Sequence, residues 1–279
     1  MNSDYVIVFP ATTKYMDEAR VLLKSLTKNM PHVPVHIMTR RAEANCLKDE
    51  FSIVEEIIDE PPCDTEFRQV RTSRFRHASD ISDRYKVVCL LDADMCCVRD
   101  FTVFFKMAEA GAILVGSNNT LLRYRKKDFD HMHVEAPDDI DVVHATFTTV
   151  PTILNPTIHK DYLTTIFNNK TGNDLDVPNL VACSMGLMKS VYHLPSYIVT
   201  NIHHTMVKPE TGLKRTSDGL YSGQGEPVYL IHGHLGDQRY IDELIRPMEK
   251  NYGWHRKHIE HANNCIRALT EEYRKYANM

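Results

Sequence analysis

The chain has 279 residues, 43% of them hydrophobic, and a formal net charge of -4 at pH 7. That is enough for one large domain with a substantial core, and the slightly acidic balance argues against a dedicated nucleic-acid binder, whose phosphate contacts demand a basic face. Seven cysteines, odd in number and irregularly spaced, point to reduced thiols rather than a disulfide framework. No apolar run approaches a membrane span, and Met1-Asn2-Ser3-Asp4 leads straight into a strand-like run with no signal peptide, so the expected location is cytoplasmic.

Tyr5 to Pro10 (YVIVFP) is an apolar, β-branched run that stops at a proline and reads as a buried first strand. From Lys14 to Met30 apolar residues recur at Met16, Ala19, Leu22, Leu23 and Leu26, the spacing of an amphipathic helix. Val33 to Met38 and Ser52 to Ile58 read as strands, and Ala42 to Phe51 and Glu66 to Asp80 as helices. Val87 to Leu91 is then a buried strand. Strand and helix alternate over this half, which predicts a parallel, doubly wound α/β sheet. Ala112 to Gly116 is a further strand, and the polar stretch Asn118 to Asp141 reads as a long functional loop. Val142 to Leu154, Asn179 to Met188 and Val228 to Ile231 read as strands or short helices, and Tyr240 to Met248 and His255 to Tyr276 as terminal helices. There is no internal repeat and no low-complexity linker, which predicts a single domain over 1–279.

The run Val87 to Leu91 ends on Asp92-Ala93-Asp94. Ligands of open α/β sheets sit beyond the carboxyl ends of the strands, and in extended backbone residues i and i+2 point to the same side. Both carboxylates could therefore face one hard cation, Mg²⁺ or Mn²⁺, which prefers oxygen ligands and leaves positions for substrate phosphates. A solvated turn with capping aspartates is the plainer alternative. Far downstream, Val228 to Ile231 runs into His232-Gly233-His234. A neutral imidazole at His232 would complete a set of two carboxylates and one nitrogen, and Gly233 would let backbone approach a phosphate. Arg68, Arg71, Arg74 and Arg76 crowd the helix before the Asp pair; Arg71 and Arg74 share a face and suit a diphosphate.

The order YVIVFPAT, arginine-bearing helix, LLDADM and IHGH resembles the GT-A glycosyltransferases that use nucleotide sugars, in particular the glycogenin and lipooligosaccharide galactosyltransferase branch, glycosyltransferase family 8. The resemblance covers roughly residues 5 to 240. It implies a GT-A fold, a Rossmann-like, mostly parallel sheet flanked by helices with a helical C-terminus. It implies a nucleotide-sugar-binding half of about 1–117 and an acceptor-side part of about 118–279. Carried over by motif, Pro10, Ala11 and Thr12 would meet the nucleoside. Asp92, Ala93, Asp94 and Gly233 would surround the diphosphate, and Asp92, Asp94 and His232 would hold the metal. The family follows its late histidine with Lys-Pro-Trp; here the chain reads Leu235-Gly236-Asp237-Gln238-Arg239, so the lysine's role falls to Arg239 or another base.

The resemblance implies a metal-dependent transfer from a nucleoside-diphosphate sugar, with uridine diphosphate the favoured carrier. Inverting chemistry would need a carboxylate base, for which Asp174, Asp176 and Asp237 are the candidates; retaining chemistry would not. Two alternatives compete. Haloacid dehalogenase-type phosphatases also end a strand on Asp-x-Asp, but on their first strand, and a non-catalytic nucleotide-sugar-binding module could carry the same ligands. The acceptor, whether glycan, lipid-linked sugar, protein or nucleic acid, is not legible in these residues.

Overall fold

The computed structural model describes residues 3–39, 41–59, 66–138, 142–169, 171, 175–201, 212–242 and 256–279, with backbone alone over 41–45, 66–71, 117–122, 142–149, 201 and 256–259. In chain order the elements begin with β1 (Tyr5–Pro10), α1 (Met16–Asn29), β2 (Val35–Thr39), α2 (Arg41–Glu50), β3 (Val54–Asp59), α3 (Glu66–Asp80), β4 (Val87–Leu90) and β5 (Met95–Cys97). They continue with α4 (Val103–Glu109), β6 (Ile113–Arg125), α5 (Lys126–His131), β7 (Val142–Leu154), α6 (Lys160–Asn168), α7 (Val177–Ser184) and β8 (Val191–Leu194). The last are β9 (Val199–Asn201), β10 (Leu213–Thr216), β11 (Gly219–Ser222), β12 (Leu230–His232) and a final helix, α8 (Arg256–Ala277). Packing divides them into two units. The first comprises Met1–Thr13, His32–Asp92 and Thr102–Leu194, and the second Lys14–Pro31, Ala93–Phe101 and Pro195–Met279.

The first unit is built on a seven-stranded sheet of order β3-β2-β1-β4-β7-β6-β8. Its β3, β2, β1 and β4 run parallel, β7 runs antiparallel to both β4 and β6, and β8 is parallel to β6. Val6, Ile7, Val8 and Phe9 of β1 are all fully buried, as are Val87 to Leu90 of β4. Burial on both faces is why these strands are continuous apolar runs rather than alternating ones. Phe75 and Ala78 of α3, and Tyr162, Leu163 and Ile166 of α6, close over them in one core. The chain winds from β1 outward to β2 and β3 and returns on the other side of β1 as β4, so the strand order reverses between β1 and β4. That reversal is where α/β sheets open a crevice at their carboxyl ends.

The long loop expected over Asn118 to Asp141 is instead mostly regular structure. The β6 strand runs on to Arg125, pairing antiparallel with β7 down to Arg125 opposite Val142, and α5 follows. The polar composition concealed a period of two. Arg123 and Arg125 are exposed while Tyr124 between them is 7% exposed, the alternation of a strand with one wet face.

The second unit rests on α1 and α8 around the short sheet β5-β12-β9, with β10 and β11 as a separate hairpin. On α8 the buried apolar residues Ala262, Ile266, Leu269, Tyr273 and Tyr276 form a stripe at helical spacing that joins Val21, Cys96 and Ile231 in one core. Side chains of α1 also fasten β5. Ser25 Oγ accepts the Cys97 N–H at 2.9 Å, and Asn29 Nδ2 donates to the Cys97 carbonyl at 2.8 Å and to the Tyr276 hydroxyl at 3.0 Å.

A buried polar knot in the first unit makes its stability pH-dependent. His36 on β2 is fully buried, with Nδ1 2.9 Å from His77 Nε2 of α3 and Nε2 3.2 Å from the Tyr85 hydroxyl, which itself donates to Glu55 at 2.7 Å. Glu55 and Glu56 of β3 face the two ring nitrogens at 3.9 and 3.7 Å, and Arg84 engages both carboxylates. Burial, then the facing His77, push the His36 imidazole down from 6.5 to about 4, and burial lowers His77 as well. The folded state therefore refuses protons that the unfolded chain accepts. Stability is full above pH 6.5 and falls as pH drops from 6.5 toward 4. The loss traceable to His36 is on the order of 3 kcal/mol at most. Urea unfolding at pH 7.5, 6 and 4.5 should show this slope, and His77→Gln should flatten it.

Candidate active site

The first unit brings one end of the expected site together. Leu91 extends the β1–β4 pairing by one bond, its N–H donating to the Val8 carbonyl at 2.9 Å, and Asp92 follows at the strand's carboxyl end. Beside it β1 ends at Pro10, and the N–H of Ala11, which is 1% exposed, donates to the Met38 carbonyl of β2. Thr12 is half-buried at the same rim. Of the two arginines expected here, Arg74 is 3% exposed; it makes a short charge-assisted hydrogen bond to Asp92 Oδ1 and donates to the Leu91 carbonyl at 3.3 Å. Arg74 is thus a fixture of the strand end that orients Asp92. Arg71 lies on the same helix, where only the backbone is described.

Asp92 and Asp94 are joined by a turn at Ala93 and Asp94, not by the extended backbone expected for them.

In the second unit the other end of the site is set by strand register. Antiparallel pairing of β5 with β12 places Met95 opposite His232, and just beyond the pair the Gly233 N–H donates to the Asp94 carbonyl at 3.2 Å. Gly233 has φ 131°, a conformation that side chains resist. Its N–H is therefore spent on fixing Asp94. His232 Nε2 then lies 3.4 Å from Asp94 Oδ1. On the opposite side His234 Nε2 lies 3.6 Å from Asp94 Oδ2, and His234 Nδ1 lies 3.8 Å from Glu18 Oε1 of α1. The His234 ring is stacked on Tyr15 at 5.4 Å and meets Tyr240 edge-on at 4.8 Å.

The electrostatics follow from this enclosure. Burial alone would raise the Asp94 carboxyl, but His232 first and His234 second outweigh it and hold it below the ordinary carboxylate range. Glu18 raises the His234 imidazole against the opposing pull of burial, with help from Asp94. Asp94 is consequently an ionised acceptor with an imidazole at each oxygen. The donor set of carboxylate oxygens and an imidazole nitrogen suits a hard or borderline divalent cation.

Asp176 and Asp237, two of the remaining expected residues, have hydrogen-bond partners of their own. Asp176 precedes α7 in the first unit and accepts the Tyr124 hydroxyl at 2.6 Å. Asp237 accepts the N–H groups of Arg239 and Tyr240 at 2.9 and 3.3 Å, which caps the helical turn over 238–242. Arg239 is exposed on that turn. Asp174 lies outside the described residues. Sequence reading missed Glu18 and the part played by His234. The signal for His234 was present in its spacing of two from His232, but Glu18, on a helix far earlier in the chain, carried none.

Neither a family model nor a curated protein matches the sequence. The structure does find relatives in shape. It is similar to the galactosyltransferase LgtC in complex with donor and acceptor sugar analogs, at a TM-score of 0.52 and 14% identity over 98% of this chain and 95% of that one. It is similar also to the apo glycosyltransferase GlyE of Streptococcus pneumoniae TIGR4, at a TM-score of 0.51 and 12% identity over 98% of this chain. This chain spans 60% of the GlyE chain. The fold is that of the GT-A glycosyltransferases. A GT-A fold accounts for the mixed order of the sheet, with its parallel half ending on Asp92 and its antiparallel β7 beyond. Among the described residues, no helix is long and apolar enough to cross a membrane.

The Arg74–Asp92 pair makes a direct prediction. Removing one partner of a well-buried pair costs about 3–5 kcal/mol, and the 34% exposure of the Asp92 side chain discounts that. Arg74→Met should lower unfolding stability by about 2 kcal/mol in urea titration, a third or more of what a fully buried pair would lose.

Proposed function

We propose that this chain is a metal-dependent glycosyltransferase that moves a sugar from a nucleoside-diphosphate sugar, with uridine diphosphate the carrier, to a hydroxyl acceptor. The observation that carries the reading is the placement of Asp94 against His232 by the β5–β12 register. Asp92, two residues before it, stands at the carboxyl end of β4, where the strand order reverses. The fold supports it, because this chain spans nearly the whole of LgtC, a galactosyltransferase bound to donor and acceptor sugar analogs. The position of the Asp pair after the fourth strand also sets it apart from the first-strand motif of the phosphatases.

Asp92, Asp94 and His232 would hold Mn²⁺ or Mg²⁺. When bound there, the cation would stabilise charge on the departing diphosphate. Pro10, Ala11 and Thr12, at the end of β1, would line the nucleoside's side of the crevice, and Arg74 would keep Asp92 turned for its role. Arg71, and Arg239 or another base, would meet phosphate. If the outcome is inversion, the base comes from Asp174, Asp176 or Asp237; of these, Asp176 and Asp237 would first have to release the hydrogen bonds they accept from Tyr124 and from the capped turn. A cytoplasmic location, with one GT-A domain formed by the two units, completes the reading.

The test is a thermal-shift panel of nucleoside diphosphates and their sugars with and without MnCl₂. A ligand at about 100 times its Kd stabilises by about 2.7 kcal/mol, so UDP with Mn²⁺ should raise the melting temperature by several degrees and UDP alone by much less. Asp94→Asn should abolish the metal-dependent part and cut release of UDP from UDP-sugars by about 100-fold or more. If no nucleotide produced a metal-dependent shift, the proposal would fail.

A further inference from the structure

His234 is a second imidazole at Asp94 that the metal reading leaves without a task. Among the described residues, the ligand atoms that gather within 4.8 Å of one another include those of Asp94 and His232 but not that of His234. The two imidazoles sit at different oxygens of Asp94, His232 at Oδ1 and His234 at Oδ2. Adjacent ligands of one small divalent ion stand about 3 Å apart, and opposite ones about 4.2 Å, given bonds of roughly 2.1 Å. His234 is therefore outside the set that a single ion could collect from these positions.

What the surroundings of His234 do is immobilise it. Both ring nitrogens face carboxylates, Nε2 that of Asp94 and Nδ1 that of Glu18. The ring itself is held between the face of Tyr15 and the edge of Tyr240. Glu18 sits on α1, which is anchored by the buried Ala19, Leu22, Leu23 and Leu26. An imidazole fixed within 3.6 Å of Oδ2 favours one orientation of the Asp94 carboxylate, and supporting partners of this kind are what make a metal-binding carboxylate effective.

We infer that His234, backed by Glu18, is a positioning residue: it holds Oδ2 of Asp94 so that Oδ1 stays turned to His232 and presented to the cation. The inference rests on the metal site proposed above and adds to it a three-residue support, Glu18–His234–Asp94, contained in one packing unit.

The experiment is a titration of the full chain with MnCl₂, alone and with UDP present, following free Mn²⁺ by electron paramagnetic resonance in the wild type, His234→Gln, Glu18→Gln and His232→Gln. Loss of a supporting partner typically weakens metal affinity about 10- to 100-fold, so His234→Gln should weaken Mn²⁺ binding by about tenfold or more, and Glu18→Gln less but in the same direction. Pulsed resonance on bound Mn²⁺ should show the nitrogen coupling of one imidazole, kept in His234→Gln and lost in His232→Gln. Should His234→Gln not fold, Glu18→Gln and the nitrogen count in the wild type still decide the matter. Wild-type chain that takes up Mn²⁺ with affinity unchanged in both variants overturns the inference alone, as does a nitrogen coupling that disappears with His234. A wild type that takes up no Mn²⁺ under either condition brings down the metal reading, and the inference with it.

Discussion

The antiparallel register of β5 against β12 is the constraint on which the candidate site depends. Met95 opposite His232 and Cys96 opposite Ile231 leave Asp94 at the mouth of the pair, where its carbonyl takes the Gly233 N–H. Since side chains alternate along a strand, a slip of one residue would turn His232 to the other face and bring Ile231 into its place. The register is secured from the opposite face by burial of Cys96 and Ile231 in the core with α8, and from the side by the Ser25 and Asn29 hydrogen bonds to Cys97. A site of two or three polar side chains thus borrows its precision from an apolar core and one helix face.

Asp92 is held by a different device. It ends a strand buried on both faces, and Arg74 reaches it from α3 while also bonding the Leu91 carbonyl. A guanidinium in that position compensates the Asp92 carboxylate and engages its Oδ1. Arg74 is so enclosed that contact with a large nucleotide would require it to leave a well-formed pair. The arginines of α3 whose side chains are described differ by burial: Arg74, expected from the sequence to face a diphosphate with Arg71, serves the protein, and Arg76, which is exposed and pairs with Asp80 at 3.6 Å, serves the helix surface.

The fold class and the strand end at Asp92 were legible because they follow from local composition. β-branched runs such as YVIVFP and KVVCLL can only be buried strands, and paired acids after such a run have few structural uses. His232 could be read for the same reason, as a polar residue closing an apolar run. The extension of β6 to Arg125 was hidden because one face of that strand is charged, so a count of polar residues outweighed the alternation at Arg123, Tyr124 and Arg125. The turn at Ala93 was hidden because pairing of β5 with β12, more than a hundred residues later, bends the chain there. Glu18 was invisible for a similar reason: its neighbours Asp17 and Lys14 make it look like one more charge on a wet helix end, and only tertiary packing turns it toward His234.

The segment after His232 shows how one change in sequence redistributes roles. Where the glycogenin-type sequences that this chain resembles have a lysine, proline and tryptophan, this chain has a glycine-containing turn capped by Asp237, followed by Gln238, Arg239 and Tyr240. The cap consumes Asp237 and starts a helical turn that aims the Tyr240 ring at His234 while leaving Arg239 in solvent. A flexible exposed arginine can still reach a phosphate, but it carries no preset geometry, unlike a side chain packed in place. The side chain fixed beside Asp94 is instead His234, faced by Glu18 and packed against two aromatic rings. Order at this end of the candidate site therefore lies in the residues packed around Asp94 and not in the exposed Arg239.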